Sequence, residues 1–392
     1  MLWVASVSTG TDIRAELGRA KRVIVKIGTR VLAQANGRPD PTRLRALVSQ
    51  VVGARREGRE VVVVSSGAVG AGMEALGMRR RPRTLPDLQM CAAVGQSRLM
   101  ARYDRLFGAR RCKVGQVLLT HDGLKMRRRH LNARHTLMNL LRHGIVPIVN
   151  ENDAVSVEEI RFGDNDMLAA LVGILIDADL LILLTTVNGL RAPAGRRTRR
   201  VPHLPSVTPA DTALVFGDRS ELSTGGMTSK LKAADMFARG GGRVVIADGR
   251  SDAVVTRVLA GEDVGTLVGV AAGARRGPRG RRRWIAFFHR VDGAVVVDEG
   301  AAEAIERRGT SLLPIGVRAV EGAFPAGAVV NVKTAEGRLV ARGLSDYAAD
   351  DVRRIMGRRT SEVEAVLGER RYDEVIHRDN LTVFGVGKGA AS

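Results

Sequence analysis

The sequence predicts an α/β protein: an αβα sandwich built on a mainly parallel sheet, followed by a small β-rich domain. Three observations carry this. Short apolar runs at residues 23–27, 61–64, 145–149, 180–184 and 244–247 are separated by helix-length segments, the alternation of a parallel sheet covered on both faces. A length of 392 residues leaves room for two domains, one with a substantial core. Near residue 271 the chain turns to Arg, Gly, Ala and Pro, and shorter apolar runs with glycine turns follow.

In order, residues 23–27 form a first strand that contains Lys26 and ends at Gly28. Helical spacing over 44–56 precedes the β-branched strand 61–64, and Ser65-Ser66-Gly67 then leads into an Ala/Gly-rich helix. Strand 145–149 runs into Asn150-Glu151-Asn152-Asp153; eleven residues after Asp153 comes Asp164-Asn165-Asp166, opening a buried helix over 167–176. Residues 180–184 are a strand followed by Thr185 and Thr186, and 244–247 another. Residues 271–283, with six arginines, read as a solvated linker. Beyond it, runs at 284–288, 294–297, 329–332 and 339–341 and a helix over about 301–308, ended by Gly309, make the small domain. The expected domains are 15–270 and 284–384, joined by 271–283.

A net charge of +21 points toward nucleic acid or an anionic surface. Two counts weaken that reading: only eight of the 62 basic residues are lysine, and aromatics at 3% leave little for base stacking. The arginine excess reads as compositional drift over solvated faces. Against that background Lys26 and Lys230 stand out, because a compact ammonium and a planar guanidinium are not interchangeable. Cys91 and Cys112 match no metal or redox spacing and read as small core residues of a protein in a reducing compartment. No run approaches the 18 apolar residues of a membrane span, and residues 1–10 lack a signal-peptide pattern, so the cytoplasm is the expected location. His130 and His135 sit in an Arg-rich helical stretch without zinc spacing and are expected to be exposed.

The two Asn/Asp clusters flank one loop between a strand end and a helix start, where α/β proteins take ligands. A turn and a helix cap would use the same residue types. Thr224-Gly225-Gly226-Met227-Thr228-Ser229-Lys230 precedes a helix running to about Arg239. Its glycines allow close backbone approach and its helix start points amides at an anion, so it suits a phosphate, although the spacing is not that of a Walker motif. Lys26 at the end of a buried strand requires an anionic partner, a phosphate or a carboxylate; a lysine snorkelling from an edge strand is the bland alternative. Asp166 is a candidate partner for both lysines. Ser66, at another strand-to-helix turn, suits a carboxylate or phosphate, or serves as an N-cap.

These motifs, with Val25-Lys26-Ile27-Gly28-Thr29, Ser65-Ser66-Gly67-Ala68, Ala93-Val94-Gly95-Gln96 and Gly163-Asp164-Asn165-Asp166, occur in an order that closely resembles bacterial glutamate 5-kinases of the amino acid kinase superfamily. Gly309-Thr310-Ser311-Leu312-Leu313-Pro314 and Gly322-Ala323-Phe324 resemble that family's PUA domain. The resemblance covers about residues 20–380. It implies ATP contacts at Lys26, Thr185, Thr186 and along Thr224, Gly225, Gly226, Met227, Thr228, Ser229 and Lys230. It places L-glutamate at Ser66, Asp153 and Asn165, with Asp166 organising Lys26 and Lys230, and Mg2+ carried on the nucleotide without a protein metal site. Feedback inhibition by proline and homo-oligomerisation are implied by the resemblance alone; RNA binding through the PUA-like domain is suggested by the resemblance together with the basic charge and linker.

The implied reaction is phosphorylation of the glutamate γ-carboxylate by ATP, the first step of proline synthesis. That nucleophile, with a reference pKa of about 4.3, is already ionised at neutral pH and needs no general base. The chain departs from the family pattern at Thr186, where Asp is common, and at Arg191, which replaces a tyrosine; the segment 191–200 also lacks an early acidic residue. These changes touch the adenine side. Another acidic-group kinase of the superfamily, such as an acetylglutamate kinase, and an RNA-binding protein acting through the PUA-like domain are the alternatives.

Overall fold

The computed structural model describes residues 13–34, 40–154, 165–194, 197–213, 226–269, 291–368 and 372–384. The predicted linker 271–283 and the run 284–288 lie outside them. The chain divides into two compact units, residues 1–276 and 277–392.

The first unit is built on an eight-stranded sheet. Its strands are β1 (Arg22–Ile27), β2 (Glu60–Ser65), β3 (Val114–Leu119), β4 (Val146–Glu151), β5 (Leu180–Thr185), β8 (His203–Leu204), β9 (Arg243–Asp248) and β10 (Thr266–Val268) in the order β3-β4-β2-β1-β5-β9-β10-β8. Every pairing is parallel except that of β9 with β10. The mainly parallel sheet predicted from the apolar runs is therefore observed, and the near-continuous Val/Ile/Leu of its central strands reflects burial on both faces. Strands β6 (Arg191–Ala194) and β7 (Arg197–Arg200) form a separate antiparallel hairpin, in a segment where the apolar runs mark no strand.

Alternation along β1 decides what each face receives. Val23, Val25 and Ile27 join a core that includes Leu47 and Val51 of α1 (Pro41–Arg56) and Tyr103 and Phe107 of a long helix, Leu85–Gly108. Ile24 points to the other face. There Gly173 of helix Asn165–Leu175 lies so close that a Cβ would stand 3.3 Å from Ile24 and 2.4 Å from Phe237 of helix Met227–Arg239. Lys26, two residues beyond Ile24, therefore shares a face with the two helices whose first turns hold Asp166 and Lys230. β1 is central in the sheet and Lys26 is 5% exposed, which excludes the snorkelling alternative.

Strand β4 is longer than the sequence suggested: Asn150 and Glu151 pair with Leu118 and Leu119, so they belong to the strand and only Asn152 and Asp153 to the turn. His130 is buried, contrary to expectation; on helix Arg127–Arg142 it shares a helical face with the buried Ala133, Leu137 and Leu141, and position on that face outweighs the polar ring. His135 is exposed, and Cys91 and Cys112 are both buried free thiols.

The second unit contains a five-stranded sheet of β11 (Gly293–Val297), β12 (Val317–Glu321), β13 (Val329–Thr334), β14 (Leu339–Leu344) and β15 (Leu381–Val383), ordered β12-β11-β13-β14-β15. Its core gathers Val295, Val330, Val332 and Val340 with Ile305 of helix Glu299–Arg308. That helix ends where the sequence placed its end, on Gly309 at φ 63°.

Candidate active site

The carboxyl ends of the parallel strands meet at one edge. Register sets Ile27 opposite both Ser65 and Leu184, Val64 opposite Val149, and Thr185 opposite Asp248. Ligands of open α/β sheets bind at this edge.

Here Asp166 bridges two lysines. Lys26 Nζ is 2.7 Å from its Oδ1 and Lys230 Nζ donates to its Oδ2 at 2.9 Å. All three side chains are buried, Asp166 being 1% exposed. Burial alone would raise the Asp166 pKa, but the two ammonium groups overcome it and hold the carboxyl at about 2. Two buried ammonium groups share one carboxylate, so this triad carries an excess positive charge turned toward the strand ends. Ser229, one position before Lys230, directs its hydroxyl to Asp166 Oδ2 at 3.3 Å and to the Gly226 carbonyl at 3.2 Å. Gly226 is the N-cap of this helix, and Met227, Thr228, Ser229 and Lys230 form its first turn. Thr224 and Gly225 lie outside the described residues.

Asn165 and Asp166 are consecutive at a helix start, about 100° apart around the axis. That angle sends Asp166 to the lysines and Asn165 elsewhere. The Asn165 amide donates to Ser66 Oγ at 2.9 Å, to Asn150 Oδ1 at 3.0 Å and to the Ser65 carbonyl at 3.4 Å. Asn150 in turn donates to Gln96 Oε1 at 2.8 Å. Ser66 is not a helix cap: the N-cap of the following helix, Ala68–Ala75, is Gly67 at φ 117°, which frees the Ser66 hydroxyl for Asn165. Beneath it, Ser65 Oγ bonds the hydroxyl of fully buried Tyr103 at 2.7 Å; burial pushes that phenol up to about 12.

Gln96 reaches this network through a tight helix contact. A Cβ on Gly95 would stand 1.8 Å from the Ala68 carbonyl oxygen and 2.3 Å from the Gly72 nitrogen, and one on Gly72 would meet the Cys91 carbonyl at 1.8 Å. Only glycine at these two crossings lets the helices Ala68–Ala75 and Leu85–Gly108 approach so closely. Asn150 belongs to the first Asn/Asp cluster and Gln96 to the motif Ala93-Val94-Gly95-Gln96, but neither carries an assigned role in the sequence; the glycine inside a long helical pattern is the signal that points to Gln96.

Gln96 also lines a cleft of about 270 Å3 together with Ser97, Gln116, Glu151, Asn152 and Asp153. Glu151 is buried, with His121 Nδ1 at 4.0 Å. Of the sequence-derived site residues, Lys26, Asp166, Ser229 and Lys230 thus form one cluster. Ser66 and Asn165 form a second, joined by Asn150 and Gln96 to the cleft that holds Asp153. Thr185 and Thr186 sit at the end of β5, where Gly249 donates to the Thr185 carbonyl at 2.8 Å and Arg250, itself bonded to Asp248 at 3.1 Å, donates to the Thr186 carbonyl. Arg191 turns back on its own hairpin, donating through Nε to Thr198 Oγ1 and through Nη2 to the Thr198 carbonyl, both at 2.8 Å. Among the described residues no group of three or more His, Cys, Asp or Glu side chains could hold a metal ion.

Sequence comparison assigns this architecture. The profile of the amino acid kinase family matches residues 21–248, and that of the PUA domain residues 293–367. Glutamate 5-kinase of Moorella thermoacetica is 46% identical over 380 residues, covering 96% of this chain and all of that protein. Glutamate 5-kinase of Myxococcus xanthus is 48% identical over 384 residues, covering 97% and 100%. That of Citrifermentans bemidjiense is 46% identical over 371 residues, covering 94% and 99%. With two buried lysines gathered at the strand ends of a mainly parallel sheet and a second unit of PUA type, the chain belongs to the amino acid kinase family and, within it, to the glutamate 5-kinases.

Proposed function

We propose that this protein transfers the γ-phosphoryl group of ATP to the γ-carboxylate of L-glutamate, yielding ADP and L-glutamate 5-phosphate, the entry step of proline synthesis. The observation that carries the reading is the buried Lys26–Asp166–Lys230 triad. One carboxylate fixes two ammonium groups 2.7 and 2.9 Å from its own oxygens and leaves excess positive charge at the strand ends. Such a fixed, desolvated charge stabilises the anionic oxygens of a phosphoryl group in transfer without reorganising during the step.

A γ-carboxylate oxygen attacks the γ-phosphorus, the bond from that phosphorus to the β,γ-bridging oxygen breaks, and the electron pair leaves with ADP. The nucleophile is ionised at neutral pH, so no proton has to move. Positioning does the rest. Lys26 and Lys230 face the phosphates; the helix start at Gly226, with Met227, Thr228 and Ser229, offers backbone and hydroxyl donors beside them, next to Thr224 and Gly225 in the sequence. Thr185 and Thr186, at the end of β5, border the nucleoside side. Ser66 and Asn165 orient the reacting carboxylate, and Asp153 in the cleft suits the α-ammonium of glutamate. Mg2+ would enter on the nucleotide phosphates, which supply the oxygen ligands that it prefers.

Proline feedback and homo-oligomerisation rest on the resemblance alone, RNA binding by the second unit on the resemblance and the basic charge, and a cytoplasmic location on the sequence. No helix among the described residues is long and apolar enough to cross a membrane.

The test is glutamate-dependent formation of ADP and of acyl phosphate trapped as hydroxamate, with Lys230→Ala and Asp166→Ala as controls. Activity in the parent that is lost in both folded variants supports the reading; N-acetylglutamate preferred over glutamate, or no hydroxamate at all, overturns it.

A further inference from the structure

The amide chain that ends at Gln96 has a direction, and the direction is imposed by a backbone atom. The Ser65 carbonyl can only accept, so Asn165 must present its NH2 to that side, at 3.4 Å. The same NH2 meets Asn150 at 3.0 Å, which makes the Asn150 atom there its oxygen. Asn150 then has only its own NH2 to offer Gln96, 2.8 Å away, and the Gln96 atom that receives it is the oxygen. Reversing any one amide would set two acceptors or two donors face to face. The consequence lies at the far end: with its oxygen turned to Asn150, Gln96 has both N–H groups of its NH2 left to donate to a ligand, and Gln96 is in the wall of the cleft.

Asp153 and Glu151 line that same cleft, and their carboxylates suit a cation. A donor pair beside two carboxylates matches the charge pattern of an amino acid head group, an ammonium and a carboxylate on one carbon. The helix contact at Gly95 holds the donor in place, since Gln96 directly follows the glycine whose hydrogen faces the Ala68 carbonyl.

We infer that Gln96 is a substrate-contacting, specificity-determining residue whose side-chain NH2 donates to the α-carboxylate of the amino acid substrate, its polarity set by the relay Ser65–Asn165–Asn150. The inference rests on the glutamate kinase reading, whereas the polarity itself follows from the hydrogen bonds alone.

Gln96→Glu is the decisive variant because the carboxylate keeps an acceptor for the Asn150 NH2 but has no donor and repels an anion. The expected result is a rise of about 100-fold in KM for glutamate, with KM for ATP within about twofold of the parent and an unchanged thermal unfolding midpoint. Gln96→Ala, which loses both functions, should raise the glutamate KM about tenfold. Asn150→Asp, which offers Gln96 an acceptor instead of a donor, should turn the Gln96 amide over, set its oxygen toward the cleft and raise the glutamate KM several-fold. A Gln96→Glu enzyme with parental glutamate KM sinks the inference, because it shows that the position serves only as an acceptor for Asn150. If both Gln96 variants raise the ATP and glutamate KM values equally, the residue is merely structural and the inference also fails. A parent protein without glutamate-dependent hydroxamate would fail the kinase reading, a separate outcome read before any variant is made.

Discussion

Lys26 and Lys230 hold different oxygens of one carboxylate: Lys26 lies 2.7 Å from Oδ1 of Asp166 and Lys230 2.9 Å from Oδ2. One lysine comes from a central strand and the other from the first turn of a helix. Neither could be placed without the carboxylate between them, because each ammonium would otherwise be buried beside the other.

Replacing that carboxylate is therefore expected to harm folding as well as catalysis. Asp166→Asn keeps the shape but leaves two buried cations without a counter-charge, a change that costs roughly 3–5 kcal/mol when one partner of a buried pair is lost. Urea unfolding should show the loss, and hydroxamate formation should fall below detection. An Asp166→Asn enzyme with parental stability would show that the triad is hydrated and not truly buried.

The same group gives a pH signature. The two lysines lower the Asp166 pKa in the folded protein to about 2, below the ordinary aspartate value. A depressed carboxyl contributes stability that is present above its unfolded pKa and lost as pH falls through the folded one. The parent should therefore lose stability more steeply than Asp166→Asn between about pH 4 and about pH 2. Chemical unfolding at a series of acid pH values measures the two slopes; equal slopes would refute the assignment.

Lys26→Arg tests charge against shape. Lys26 is buried with its ammonium 2.7 Å from Asp166 Oδ1, a place set for a compact head and not for a planar fork. Charge is conserved, yet kcat should fall about 100-fold, the scale of losing one preorganised stabilising donor. Parental kcat in this variant would mean that Lys26 acts only as a diffuse positive charge.

Gly95→Ala should couple stability to substrate affinity. The added methyl meets backbone atoms at 1.8 and 2.3 Å, so two helices must separate, at a cost of about 1–3 kcal/mol or more for overpacking. Because Gln96 moves with the helix, the glutamate KM should rise while the ATP KM changes little. Calorimetry and steady-state kinetics on the same sample measure both effects.

How much of this was legible beforehand follows from the kind of signal each feature leaves. The strands β1, β2, β4, β5 and β9 each contain an apolar run that could be read directly, as could the helix ended by Gly309. Lys26 and Lys230 were conspicuous because lysine is rare in an arginine-rich chain. The hairpin β6–β7 was missed because its arginines carry no apolar alternation, and the burial of His130 because one polar ring does not reveal which helical face it joins.

By itself, the sequence determined the α/β class and the set of polar residues at strand ends and helix starts, since periodicity and local chemistry are written in neighbouring positions. Tertiary structure alone decided how those residues divide. The helical angle between Asn165 and Asp166 sends one to Ser66 and Asn150 and the other to the lysines. The close crossing at Gly72 and Gly95 brings Gln96 to Asn150. Both depend on distances between segments remote in the chain, and the direction of the amide relay depends on a carbonyl oxygen whose place only the folded backbone defines.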